Sequence, residues 1–362
     1  AWADTSWKNS LFWARFSAER LLFLPHEKDK SVRFAFSPAS VGVPIEQHPL
    51  VQRATVINLH WINFGFLSLN GLERLFALGK PIVWTQHDMW AFTGGCHYSR
   101  GCERFRTHCQ FCPYLKNPAE YDLSFDIFER KKRLLAQANV TFVSPSQWLG
   151  QLTREAALSA HRPSHVIPNP IDTSVFAPLP KAEARARLGL PPDKKLILFA
   201  GANTQDPRKG YAYFQEAVNT LGENASEAEV VLFGKSQPGA YAAIQRPVHD
   251  LGKLSDMSNI VEAYSAADVM VVSSLEDNLP NTVMEAMACG TPVVGFRNGG
   301  IPDMIDHHLN GYVADYRSAT SLAQGIQWVL ENTARLDLPE QARQKVLNTY
   351  AEKIVAQQYH QL

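Results

Sequence analysis

No apolar run in the chain approaches the roughly 20 residues a helix needs to cross a membrane. No leader-like apolar core opens it either, because tryptophan and charge alternate through the first residues. Charge of one sign is missing: 35 Lys and Arg balance 35 Asp and Glu, which argues against a protein organised around nucleic acid. Cysteine is scarce at five, and four of these fall between Cys96 and Cys112, so no disulfide framework is spread over the fold. The expected compartment is the cytoplasm. Glycine is absent before Gly42. What remains is an ordinary globular composition, 45% apolar and 19% charged, in 362 residues, enough for two domains.

The most informative stretch runs from Asp268 to Gly300. Asp268-Val-Met-Val-Val272 reads as a buried parallel strand. A polar loop follows, then a helix with Pro280 in its first turn and Gly290 just past its end. Thr291 to Gly295 is the next strand. In such a βαβ unit the helix start lies at the carboxyl end of the sheet, where free N–H groups and the dipole favour anions. Asp277 lies in the loop and Glu285 about two turns into the helix. A carboxylate placed behind an anion site repels phosphate but suits a vicinal diol such as a ribose. The plain alternative is that Glu285 fills a buried polar gap and Asp277 is an ordinary loop residue.

The segment Glu285-Ala-Met-Ala-Cys-Gly-Thr-Pro-Val-Val294, with Gly299-Gly300 beyond it, resembles the signature of retaining nucleotide-sugar glycosyltransferases of family 4. The resemblance implies an α/β fold of two Rossmann-like domains facing a cleft, the GT-B arrangement. It places Glu285 on the donor's nucleotide and Asp277 where the family has a Glu, with Glu276 one residue out of register. Asn278, Leu279, Pro280, Asn281 and Thr282 then form the loop and helix start that receive the donor.

Upstream, Trp2, Trp7, Phe12, Trp13, Phe16 and Leu21 to Phe23 alternate with Lys8, Arg15 and Arg20. This reads either as an interfacial helix touching membrane or as a helix packing its aromatic side on the sheet. From Ala54 an α/β rhythm begins: strand Ala54 to His60, helix Leu67 to Leu78, strand Pro81 to Gln86. His87 and Asp88 therefore stand at a strand's carboxyl end, where open α/β sheets bind ligands. In the family a His here faces the donor sugar, and His87 matches it.

Between Gly94 and Pro113 lie Cys96, Cys102, Cys109 and Cys112, ending in Cys-x-x-Cys. Four thiolates in one loop suit a structural zinc. The five-residue first spacing is longer than usual, and His97 or His108 could replace a thiolate. Two disulfides or four buried free thiols are the alternatives. A branch of the family carries a similar Cys-rich insert. A charged helix, Phe125 to Ala138, the strand Val140 to Val143 and a helix capped by Ser146 complete the first domain. His165-Val-Ile-Pro-Asn-Pro-Ile-Asp172 resembles the family's inter-domain crossing, with Pro170 in place of glycine.

The second domain opens with the strand Lys195 to Ala200 and the loop Gly201 to Gly210. Arg208 and Lys209 match the family's basic pair, which meets the diphosphate as charge develops on it. Ala202 departs from the pattern, since the family often has Arg there. Val230 to Gly234 is a further strand, and Gly252, Lys253 and Leu254 resemble the loop that holds the base. Helices near 318–332 and 338–360 close the chain. The expected boundaries are 1–168, 169–340 and a C-terminal segment 341–362 packing back on the first domain.

The resemblance thus implies a transferase moving a sugar, with retention, from a nucleotide-diphosphate sugar to a saccharide or lipid-linked saccharide, as in bacterial polysaccharide biosynthesis. Catalysis is expected to fall to His87, Asp277 and Lys209, without a metal cofactor. Peripheral contact with the inner face of a membrane is part of that expectation. A rival reading is a partial, non-catalytic nucleotide- or sugar-binding protein. About four strand candidates precede residue 170, and the family's first strand and glycine-rich loop are not seen.

Overall fold

The computed structural model describes residues 6–203, 206–222, 225, 227–235, 239 and 241–362, without the side chains of 6–9, 202 and 203. Trp2, the Trp7 ring and the Ala202 side chain lie outside the described residues. The chain divides into Ala1–Val166 and Ile167–Leu362, two residues ahead of the expected boundary.

The first unit begins with α1 (Ser6–Phe23). Its attachment runs through Glu19, whose carboxylate accepts the backbone N–H groups of Ala39, Ser40 and Val41 at 2.7, 3.0 and 3.1 Å. Phe23 is buried against Phe36, while Phe12, Trp13, Leu21 and Leu22 remain exposed. Half-buried Phe16 meets the Phe34 and Phe64 rings, so the described aromatics of α1 divide between packed and exposed positions. After α2 (Pro49–Arg53) come β1 (Ile57–Leu59), α3 (Leu69–Phe76), β2 (Ile82–Thr85), α4 (Leu123–Gln137), β3 (Val140–Ser144), α5 (Gln147–Glu155) and β4 (Ser164–Val166). The strands form a parallel sheet in the order β1-β2-β3-β4. Helix starts are set by side-chain caps: Ser68 on Gly71 N, Asp122 on Ser124 and Phe125 N, and Ser146 on Leu149 N.

The second unit holds α6 (Lys181–Leu188), β5 (Leu196–Asn203), α7 (Tyr211–Asn219), β6 (Glu229–Lys235), β7 (Val248–Asp250), α8 (Met257–Ala266), β8 (Val269–Val272), α9 (Asn281–Ala288), β9 (Val293–Phe296), α10 (Ile301–Met304), β10 (Gly311–Ala314), α11 (Ala319–Asn332), α12 (Leu338–Thr349) and α13 (Glu352–Tyr359). Its parallel sheet has the order β10-β9-β8-β5-β6-β7. Continuous apolar strands such as Val269–Val272 are buried on both faces, as parallel sheets require. From β5 the chain builds outward through β6 and β7, then returns to β8 and builds the other way. The strand order reverses between β5 and β8, and at such a switch point the loops diverge and open a crevice.

The segment 341–362 falls in the second unit. Arg343 ties α12 to the carbonyls of Phe176, Ala288 and Thr173 at 2.5, 2.7 and 2.8 Å. The last helix is also two helices, because the chain turns at Tyr350 and Ala351. There the Tyr350 carbonyl leaves the helix ladder and accepts Ile171 N–H at 2.9 Å.

Candidate functional site

The loops after β5 and β8 meet across the switch point. Asp206 caps the short turn Pro207–Lys209, and Gly210 follows it in the left-handed region at φ 62°. The backbone approach is close: Leu275 N–H donates to the Arg208 carbonyl at 2.6 Å, and Ser273 Oγ to the Lys209 and Gly210 carbonyls, each at 2.9 Å. A Cβ on Gly210 would lie 2.0 Å from Ser273 O, so both the backbone angle and the contact require glycine. Lys209 Nζ thereby reaches Asp277 Oδ2 at 2.7 Å. Asp277 is thus the acid paired with Lys209. Arg208 is held by Asp206, Nη2 to Oδ2 at 2.7 Å. Burial raises the Asp206 pKa, and the bonds and charge of Arg208 outweigh it to leave the carboxyl low.

The glycine pair fixes the same loop. Gly299 lies at φ 57°, and a Cβ there would meet Asp277 O at 1.8 Å. Asn298 Nδ2 donates to Leu275 O at 2.7 Å, and Tyr316 OH to the same carbonyl at 3.1 Å. Pro280 is the cap of α9 and not its first residue, and it offers the first-turn N–H groups no side chain. Pro280 thus leaves the first-turn N–H groups without a cap of its own, which suits an anion site. Asn278, Leu279 and Pro280 are buried in the loop, whereas Asn281 is exposed and Thr282 half-buried. Glu285 is half-buried one further turn along, its Oε2 accepting Tyr264 OH at 2.7 Å. Burial raises the Glu285 pKa, and the tyrosine bond works against that rise.

Gly252 and Leu254 lie beyond β7. Gly252 turns at φ 64° with its N–H on Asp250 and its carbonyl accepting Gly234 N–H at 2.8 Å. Leu254 is half-buried against the core on the β7 side of the sheet. The predicted donor residues therefore share one edge, the carboxyl end of the second sheet.

In the first unit, parallel register sets β1 beside β2 with Leu59 opposite Trp84. The residues just past the two strands become neighbours, and His60 Nδ1 lies 2.9 Å from His87 Nε2. Sequence reasoning picked His87 and missed His60. The signal was there, since both follow the carboxyl ends of successive strands. Burial lowers the pKa of both imidazoles, and His60 lowers that of His87 further. The neutral ring is the form present at pH 7. Asp88 is engaged on all sides: Oδ2 accepts Trp61 Nε1 at 3.1 Å and pairs with His97 Nδ1 at 2.7 Å, while Oδ1 accepts Trp90 N–H at 2.8 Å.

Cys96, Cys102, Cys109 and Cys112 line one small cavity as free thiols, so the two-disulfide alternative is not formed. The histidine substitutes are spent elsewhere. His97 Nε2 bonds Ser37 Oγ at 3.0 Å, and His108 bonds the Cys109 carbonyl and Glu129, both at 2.9 Å. Burial pushes Cys109 up to about 12 and Cys112 up to about 11. Buried Lys131 stands nearby, donating to the Trp90 and Thr93 carbonyls, with burial pushing it down to about 7. Four thiols beside a buried cation suit zinc chemically. Among the described residues, however, no three His, Cys, Asp or Glu side chains are placed to hold a metal ion. A metal here would need the thiols to close inward.

Comparison with known proteins finds a family model on each unit. Residues 194–332 match the model of Glycosyl transferases group 1, and residues 14–175 match that of Glycosyltransferase Family 4. Each unit thus matches a glycosyltransferase domain model. These domains are 29% identical over 255 residues to Escherichia coli WcaC, named as a colanic acid biosynthesis glycosyl transferase, covering 66% of this chain and 59% of the relative. They are 26% identical over 242 residues to the lipopolysaccharide 1,2-N-acetylglucosaminetransferase of Salmonella typhimurium, covering 63% of this chain and 62% of that one. The matches thus span about three-fifths of these relatives' length. Among solved structures, Anabaena HepE in complex with UDP gives a TM-score of 0.66 at 16% identity, covering 92% of this chain and 84% of that one. Sucrose-phosphate synthase from Thermosynechococcus elongatus gives 0.64 at 22% identity, covering 85% and 72%. These two establish the fold. No helix among the described residues is long and apolar enough to cross a membrane.

Proposed function

We propose that these domains transfer a sugar from a nucleoside diphosphate sugar to a hydroxyl of a saccharide or lipid-linked saccharide, with retention of anomeric configuration. The observation that carries the reading is the convergence of Lys209, Asp277 and the start of α9 on the switch point between β5 and β8. Lys209, Arg208 and the helix N–H groups receive the diphosphate. The sugar C1–O bond to it breaks, the acceptor oxygen bonds C1, and the acceptor proton leaves with the diphosphate. Positive groups aimed at the leaving oxygens act most where charge develops, and they do this work without a metal. Asp277 meets the sugar side, Glu285 the ribose, and Gly252 and Leu254 the base. His87 is the first-unit residue proposed to meet the donor sugar. Retention rests on the resemblance of the segment from Asp277 to Gly300 to the family signature.

The names of WcaC and the Salmonella transferase support a saccharide acceptor. The exposed Trp13, Leu21 and Leu22 of α1 support peripheral contact with a membrane surface. For the cysteine cavity we propose a structural zinc that fixes the loop. The test of transfer is NMR on UDP-, GDP- and ADP-sugars incubated with the full chain and a mixed saccharide acceptor. Release of one nucleoside diphosphate, with the product keeping the donor's anomeric form and Lys209→Ala abolishing release, is expected. No release from any donor contradicts transfer, and an inverted product contradicts retention.

A further inference from the structure

Glu285 has one partner set by the fold. Tyr264, on α8, donates its hydroxyl to Oε2 of Glu285 at 2.7 Å, and its side chain is fully buried. Ring and main chain are both held. It meets Phe233 edge-on with centroids 5.5 Å apart, and Thr291 Oγ1 donates to the Tyr264 carbonyl at 2.6 Å. Phe233 lies on β6 and Thr291 just before β9, so the ring and the backbone of Tyr264 are each tied to elements flanking α8 and α9. A glutamate on a helix surface samples several rotamers, and each freedom it keeps weakens whatever it must bind. A buried tyrosine has two torsions and, held this way, little freedom.

We propose that Tyr264 is a positioning residue for nucleotide recognition: by occupying Oε2 it fixes the Glu285 carboxylate and presents Oε1 to the vicinal diol of a ribose. This rests on the reading that Glu285 meets the donor's ribose. A buried phenol needs an acceptor, and a half-buried carboxylate needs a donor. Mutual satisfaction alone would explain the pair, but it predicts no dependence on the ribose hydroxyls.

The experiment is calorimetric titration of the full chain with whichever of UDP, GDP or ADP binds, and with the same diphosphate lacking both the 2′- and 3′-hydroxyls. Tyr264→Phe removes one oxygen and keeps the ring. It is expected to weaken the ribonucleotide about tenfold and leave the dideoxy nucleotide unchanged. Equal weakening of both, or of neither, overturns the proposal. Tyr264→Met, which also lacks the hydroxyl and fills an irregular gap, gives the same comparison if the Phe variant does not fold. Glu285→Gln separates the two readings. If it discriminates ribo from dideoxy and Tyr264→Phe does not, only the positioning role falls. If Glu285→Gln fails to discriminate, the ribose reading falls and the positioning role with it.

Discussion

Lys209 Nζ stands 2.7 Å from Asp277 Oδ2, so the cation proposed for the leaving group is held by the acid proposed for the sugar. Their side chains are 31% and 16% exposed, a partly solvated pair of the kind worth little in stability. The two loops carrying them are joined by the Leu275 N–H and Ser273 Oγ hydrogen bonds, so the pair reports the site's geometry more than it creates it. A donor entering between them exchanges one counter-ion for another.

Asp277→Asn should therefore separate binding from turnover. Freeing Lys209 leaves the affinity for a nucleoside diphosphate unchanged or tighter by up to about 1 kcal/mol, while transfer falls. Calorimetry beside a turnover assay checks this. Diphosphate affinity lost together with turnover would mean that Asp277 holds the loop and not the sugar.

Gly210→Ala should disturb the same junction. The added methyl would meet Ser273 O at 2.0 Å in a left-handed backbone, which costs upwards of about 1 kcal/mol. A lower melting temperature and weaker diphosphate binding are expected together. A variant as stable as the parent would show that the loops part easily.

The His60–His87 pair sets a pH dependence. Burial holds both imidazoles below the ordinary 6.5, with Asp88 only partly restoring His87. The unfolded chain then binds these protons at higher pH than the folded one, so stability is full above 6.5 and falls as pH drops through the folded values. Melting temperatures between about pH 7.5 and 5.5 should fall toward acid, and fall less steeply in His60→Gln/His87→Gln. A slope identical in the double variant assigns the effect elsewhere.

Metal analysis bears on the cysteine cavity. Protein purified without added zinc should carry about one equivalent, and chelation should lower its melting temperature. Metal-free protein with four titratable thiols would instead match the free-thiol state of the cavity.

Much of this was legible in the sequence where signals were local. The apolar β-branched run before Ser273 and the Pro280 and Gly290 punctuation located β8 and α9. The spacing from Asp277 to Glu285 pointed at the crevice. What stayed hidden was tertiary. His60 and His87 are 27 residues apart and meet only through strand register. Ser37, His97 and Asp88 form a buried chain that no spacing announces. Tyr264 sat in an ordinary apolar helix pattern. The break at Tyr350 carries neither proline nor glycine, because a strand-like contact with Ile171 makes it.

The most direct test of the central claim is titration calorimetry of the full chain with UDP, GDP and ADP, repeated for Glu285→Gln. One nucleotide should bind at one site per chain, and the substitution should weaken it by about 1–3 kcal/mol while the melting temperature holds. Binding unaffected by Glu285→Gln, or no binding of any of the three, would contradict a nucleotide-sugar site at the switch point.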